Sequence, residues 1–317
     1  MASVQISKEM FQPIHMGADQ AEGISRPSLT YWQDAWRRLR RNNTAMVGMA
    51  VLILVIVAAV IFPMRTSLLP HWWPGNLYVY SDQNLSQVSQ APSGVHWFGT
   101  DDLGRDQFVR LWEGARLSLT IGLSAATIDL LVGILYGGIS GYFGGGIDDI
   151  MMRVVEMLYT IPYMMMVILL MLVFGAGITP LILALTITGW LGMARIVRGQ
   201  ILQLKGQEFV LAARVLGADA WRIIVRHLLP NTLGPIIVWV TLDIPGVIFS
   251  EAFLSFVGLG VPMPLASWGT LAANGYQLMR VWPWLIIFPS LAIGVTMLAF
   301  NLLGDGLRDA LDPRMRK

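Results

Sequence analysis

The sequence predicts an all-α membrane protein with six membrane-crossing helices and both termini in the cytoplasm. Three observations lead there. Of 317 residues, 55% are hydrophobic and 13% charged, whereas soluble domains carry about 25% charged residues. That leaves too few polar side chains to wet a globule. The apolar residues also gather into six runs of bilayer-crossing length, roughly 17–25 residues each. Finally, the basic residues divide unequally between the loops on the two sides, which orients the chain. The same composition excludes a disordered chain, a nucleic-acid binder and most soluble enzymes. A net charge of +2 is too weak to imply a polyanionic partner. With no cysteine, disulfide frameworks, thiol catalysis and Cys-based metal sites are excluded.

The elements follow in chain order. Residues 1–44 form a polar cytoplasmic segment. The first apolar run, 45–62, begins too far along to be the core of a cleaved leader and reads as a retained anchor. With the outer loop that follows, it makes a first unit over 45–116. Trp72, Trp73, Tyr78, Tyr80 and Trp97 of that loop suit a headgroup-level position or the cover of a small folded external cap. The remaining runs, 117–139, 157–174, 178–194, 234–256 and 284–303, define a five-helix core over 117–307. A cytoplasmic tail, 308–317, ends the chain. The glycine-rich stretch 137–146 is expected to be the inner turn between the second and third crossings. In this topology 17 of the 22 basic residues lie inside.

Some chemistry is missing. No lysine follows a glycine, so the chain has no Walker A phosphate loop of its own. The four histidines lie outside the apolar runs and form no His-Glu-x-x-His pair, which argues against a hydrolytic zinc site. Gly138-Ile139-Ser140-Gly141 resembles the nucleophile motif of rhomboid intramembrane proteases. A nucleophilic serine needs a base within hydrogen-bond reach, and no run contains a histidine. Close helix packing by small residues and a tight turn is the better reading of that motif.

The longest inner loop, 195–233, is patterned as helices. Residues 208–216 read as a short helix stopped by Gly217. Asp219 caps a second helix over about 220–229, with Pro230 as its end. Ile223, Ile224 and Leu228 oppose the i,i+4 pair Arg222 and Arg226, giving two faces. Periodicity alone leaves two readings open: a knob for a cytosolic partner, or an amphipathic element seated on lipid.

The order Ala212-Ala213, Gly217, Leu229-Pro230 resembles the EAA loop of ABC importer permeases, with Leu211 where the family has Glu and His227 where it has Ile. Further blocks narrow the match. They are Phe98-Gly99-Thr100-Asp101-Asp102-Leu103-Gly104-Arg105-Asp106, Gly141-Tyr142-Phe143-Gly144-Gly145, Phe256-Val257-Gly258-Leu259-Gly260 and the ending from Asn301 to Pro313. Together they are similar to the C-type permease subunit of oligopeptide and dipeptide importers, over about residues 37–317.

The resemblance implies the type I importer permease fold and a non-catalytic subunit of a bacterial plasma membrane. It implies a homologous second permease, two ATPase subunits that bind ATP and magnesium, and an extracytoplasmic peptide-binding protein. The ATPase contacts would fall on Glu208, Ala212, Ala213, Arg214, Gly217, Arg222, Arg226, Leu229 and Pro230. No cofactor or metal is expected in this chain. Related permeases carry nickel complexes or other solutes, and a proton-coupled carrier is the alternative from a different mechanism.

Carboxylates within the runs sharpen the question of a pathway. Asp129, Glu156, Asp243 and Glu251 lie in or at the ends of apolar runs. A charged carboxylate at mid-bilayer costs about 2.5–3.5 kcal/mol on insertion scales, so each should face protein or water. Asp243 or Glu251 could attract the ammonium end of a peptide, or each could be hydrogen-bonded within the bundle. Pro245 and Gly246 suggest a kinked or broken fifth span. Asp101, Asp102, Arg105 and Asp106 would either meet the external binding protein or gate, or form local ion pairs and caps.

Overall fold

A computed structural model describes residues 30–64 and 72–312. The N-terminal segment to residue 29, residues 65–71 with Arg65 and His71, and the tail from Pro313 lie outside the described residues. Among the described residues the regular elements are all helices, with no strand. The two ends of the bundle are called inner and outer after the charge bias.

Helix α1 (Tyr31–Arg41) starts on a Thr30 capping box with Gln33, the reciprocal bonding that satisfies free amides at a helix start. It buries Ala35 and Leu39, and Leu39 packs with Ala45 and Ala310. Asn42 then does two jobs. Its N–H donates to Leu39 O at 3.0 Å and its side chain accepts from Ala45 N at 3.1 Å, so it closes α1 and caps α2 (Asn43–Ile61). Helix α2, the first crossing, carries no charged residue. A folded outer cap follows, with the single turn α3 (Pro74–Leu77) and aromatic packing that seats Trp73 flat on Phe62 at 5.2 Å. The aromatic loop is thus a folded segment, with Trp72 and Trp97 left exposed.

Helix α4 (Gln107–Phe143) runs 37 residues, well beyond the expected 117–139. Hydropathy registers only its apolar middle. Its outer turns carry Arg110, buried among cap residues, and its inner turns carry the glycines. The expected turn over 137–146 is corrected accordingly: Gly137, Gly138 and Gly141 are helical, and only Gly144 and Gly145, at φ +68° and +53°, turn the chain. The helical glycines admit α7 (Ile178–Leu204). A Cβ at Gly137 would stand 2.3 Å from Ala194 O, and one at Gly133 2.4 Å from Met193 Cγ. In lipid such close approach is itself the attraction, because helices gain dispersion contact there without a hydrophobic driving force.

The third crossing is broken. Helix α5 (Gly145–Thr160) meets α6 (Tyr163–Phe174) at 84°, because Pro162 has no N–H to continue the ladder. The unbroken run over 157–174 is therefore corrected to a bent pair. The described residues thus hold five helices long and apolar enough to cross, six if the bent pair counts as one.

After α7 come α8 (Glu208–Val215) and α9 (Ala220–Ile223). A π turn over Ile224–Leu228 leads into α10 (Leu229–Phe256). Pro230 does not end this helix. The wide turn accommodates the missing N–H, and the Asn231 amide donates to His227 O at 2.6 Å. Helix α10 also continues through Pro235 and Pro245, so the fifth crossing is not broken at Pro245-Gly246. Helices α11 (Trp268–Leu278) and α12 (Trp284–Leu311) complete the bundle. Trp268, 1% exposed, donates to Leu111 O at 3.0 Å and joins the main core with Leu119, Ile248 and Phe300.

Candidate coupling loop and buried carboxylates

The inner loop is a built element. Helix α8 stops at Gly217, whose φ of +81° suits glycine and few other residues. Ala218 N donates to Ala213 O at 3.0 Å and Gly217 N to Arg214 O at 2.9 Å, a closed C-terminal cap. Asp219 accepts from Arg222 N at 2.7 Å and starts α9. Val210, Ala213, Ile223, Ile224 and Leu228 bury themselves against Met193, Val197 and Ile201 of α7.

Glu208, Ala212, Arg214, Gly217, Arg222, Arg226 and Pro230 are exposed, Leu229 is half-buried and Ala213 is buried. The Arg214 guanidinium lies 5.3 Å from the centre of the Tyr142 ring, stacking the loop on the end of α4. Six exposed apolar residues of this loop were not among the sequence candidates: Phe209, Leu211, Val215, Leu216, Trp221 and Val225. Val215 and Leu216 are 88% and 86% exposed. The signal was present, since a basic loop gains nothing by holding large apolar residues it does not bury.

The carboxylates divide by neighbourhood. Asp129 is buried on α4, over Gly189 of α7; a Cβ on that glycine would come within 2.1 Å of Oδ2. Asp243 is half-buried on α10, which packs against both α4 and α7. Glu251 is fully buried and accepts from Ser118 Oγ at 3.1 Å and Ser255 Oγ at 2.8 Å, while Trp268 N donates to Ser118 Oγ at 3.1 Å. That network fastens α4, α10 and α11 together. Glu156 is exposed, 3.8 Å from Arg153.

The outer charges form a compact network. Asp101 accepts from Leu103 N, Arg105 N and Arg105 Nε at 3.0, 2.9 and 2.7 Å. Its carboxylate also faces Arg110 at 3.4 Å. Asp106 caps α4 through Val109 N at 2.9 Å and meets His96 Nδ1 at 2.8 Å. Burial and the nearby Asp106 carboxylate push the Tyr78 phenol up. Asp102 is exposed, 4.0 Å from Arg105.

At the inner end a second ion pair escaped the sequence reading. Arg198 of α7 holds Asp148 of α5 with two bonds of 2.6 Å, from Nε and from a terminal nitrogen. Ser140 Oγ of α4 donates to the same carboxylate, and Lys205 Nζ donates to Gly141 O at 2.9 Å. Ser140 thus sits at a packing junction, with no histidine among its described partners. Among the described residues no cluster of side chains has metal-ligating geometry.

These features define an integral-membrane helical bundle with one bent crossing and a helix–glycine–helix element at its inner end. Comparison with known proteins assigns it. The chain belongs to the family described as binding-protein-dependent transport system inner membrane component, whose model matches residues 133–317. Residues 30–92 match the N-terminal TM domain of oligopeptide transport permease C.

Relatives match over nearly the whole chain. The oligopeptide transport system permease protein OppC of Bacillus subtilis is 52% identical, over 98% of this chain and 99% of the relative. The dipeptide permease DppC of the same organism is 53% identical, over 94% and 90%. Escherichia coli K12 OppC is 45% identical, over 99% and 100%. A solved inward-facing structure of the MetNI methionine ABC transporter has the same fold, with a TM-score of 0.53 and 17% identity over 64% of this chain and 96% of that one. The chain is a multi-pass membrane protein of the ABC importer permease fold.

Proposed function

We propose that the chain is one permease half of an ATP-driven importer that carries oligopeptides or dipeptides into a bacterial cell. In this reading a homologous permease supplies the other half of the pathway, and an extracytoplasmic peptide-binding protein delivers substrate to the outer cap. Two ATPase subunits bind ATP and magnesium, and lipid covers the apolar outer faces. The observation that carries the reading is the inner loop. A segment braced by five buried side chains presents Phe209, Val215, Leu216 and Trp221 beside Arg214, Arg222 and Arg226. An exposed apolar patch rimmed by charge suits a protein partner.

The physical sequence follows. ATP draws the ATPase subunits together, the docked loop moves with them, and the bundle switches between outward-open and inward-open states. The loop can shift that equilibrium only if its contacts differ between the two states. Within the bundle Asp129 and Asp243 form the acidic part of the pathway, able to attract a peptide ammonium group. Glu251, closed off by Ser118 and Ser255, holds helices in place. Asp101, Asp102, Arg105 and Asp106 shape the cap that receives the binding protein.

The test is Gly217→Asp in the assembled transporter. A side chain at φ +81° strains the turn, and a carboxylate lowers the charge of a basic face. Uptake should be abolished and ATPase copurification weakened, with membrane insertion unchanged. Uptake at the wild-type rate would overturn the docking assignment.

A further inference from the structure

Helix α5 is bounded by a turn at each end. Gly144 and Gly145 take φ +68° and +53° before it, and the 84° bend into α6 follows it. Of its sixteen residues only Asp148 and Val155 are buried. Dispersion contact, which binds helices to each other in lipid, therefore holds α5 weakly. Helices α4 and α7, by contrast, are packed closely through Gly133, Gly137 and Gly141. Tyr136 Oη of α4 donates to Met151 O at 2.8 Å and the Arg195 guanidinium of α7 lies 4.5 Å from the centre of the Tyr159 ring, but of these contacts to α5 the one with the most bonds, and the only ion pair, is at Asp148.

From the sequence, charge and geometry of this contact, we propose that the Asp148–Arg198 pair is a positioning device for transport: it obliges α5 to follow α7 when the inner loop is displaced. The inference rests on the permease reading above and assigns the residues that pass motion from the loop into the broken crossing.

Several details support it. The two parallel bonds of 2.6 Å fix orientation as well as distance, which a single ammonium contact would not. Ser140 Oγ donates to the same carboxylate, so the pair closes α4, α5 and α7 at one point. Arg198 stands six residues, about 1.7 turns, before the end of α7, and only residues 205–207 separate that end from α8. Lys205, the first of those three, is bonded to Gly141 O at 2.9 Å. Displacement of α8 therefore reaches Arg198 through unbroken helix and a fastened joint. The Asp148 side chain is 9% exposed and that of Arg198 33%, so water competes for the pair only from one side. Without it, α5 keeps only the Tyr136 and Tyr159 contacts, and the glycine turn lets it lag behind α7.

The experiment measures peptide uptake and ATP hydrolysis together in proteoliposomes holding the whole transporter. Asp148→Asn keeps the shape and the Ser140 bond but removes the charge. Hydrolysis should stay near wild type while uptake falls about tenfold, a usual size for coupling between sites. The exchanged pair Asp148→Arg with Arg198→Asp should recover most of that loss. A merely structural pair would lower hydrolysis and uptake in parallel, with no change in peptide carried per ATP. That outcome overturns the proposal, as does wild-type uptake in Asp148→Asn. If the unaltered transporter carries no peptide with ATP, the permease reading fails instead, independently of this pair.

Discussion

Gly189 and Asp129 show how little room single residues have in this bundle. The carboxylate lies against the glycine backbone, so Gly189→Ala places a methyl group 2.1 Å from Oδ2. Overpacking of that kind costs about 1–3 kcal/mol, and thermal unfolding of the purified subunit should show a lowered midpoint. Asp106 makes a second residue-scale case. Asp106→Ala removes the cap of α4, worth about 1 kcal/mol, and leaves Nδ1 of the buried His96 without its partner, with only Nε2 still facing Gln87; the same assay should again record destabilisation. Much of this was legible beforehand. Asp219 as a cap and Gly217 as a stop could be read directly, because local turn chemistry needs only neighbours in sequence. Asp148 could not, because its partner is fifty positions away and only the packing of α4 on α7 brings them together.

At the scale of elements, the first and last crossings were legible to within a few residues at their outer ends, since an unbroken apolar run has one reading. The third and fifth crossings show why prolines are harder. Pro162 breaks the α5–α6 run, whereas Pro230, Pro235 and Pro245 all lie inside helix. What differs is what surrounds each backbone, and the chain alone does not display that. The glycine stretch 137–146 was misread for a similar reason: glycine serves a turn and a close helix contact equally well. A consequence can be checked. Gly137→Leu should separate α4 from α7 and lower both the yield of folded protein and its resistance to detergent, whereas Gly146→Leu, with open space around it, should change neither measurement.

For the molecule as a whole, the permease reading makes a sharp statement about energy. Vesicles containing this chain alone should accumulate no peptide, with or without a pH gradient, because the subunit lacks a phosphate loop of its own; uptake measured with labelled dipeptide checks this. Accumulation driven by protons through Asp129 and Asp243 would favour the carrier alternative. At about 1.5 Å per residue, the 37 residues of α4 extend some 55 Å, while the hydrocarbon layer is about 30 Å thick. The helix overhangs the bilayer, with the Asp106 cap at one tip and Ser140 near the other. It is in effect a lever pivoted in the membrane. Tilting either tip swings the opposite one without any relay of side chains, and spin labels near the two tips would report that swing as one correlated movement.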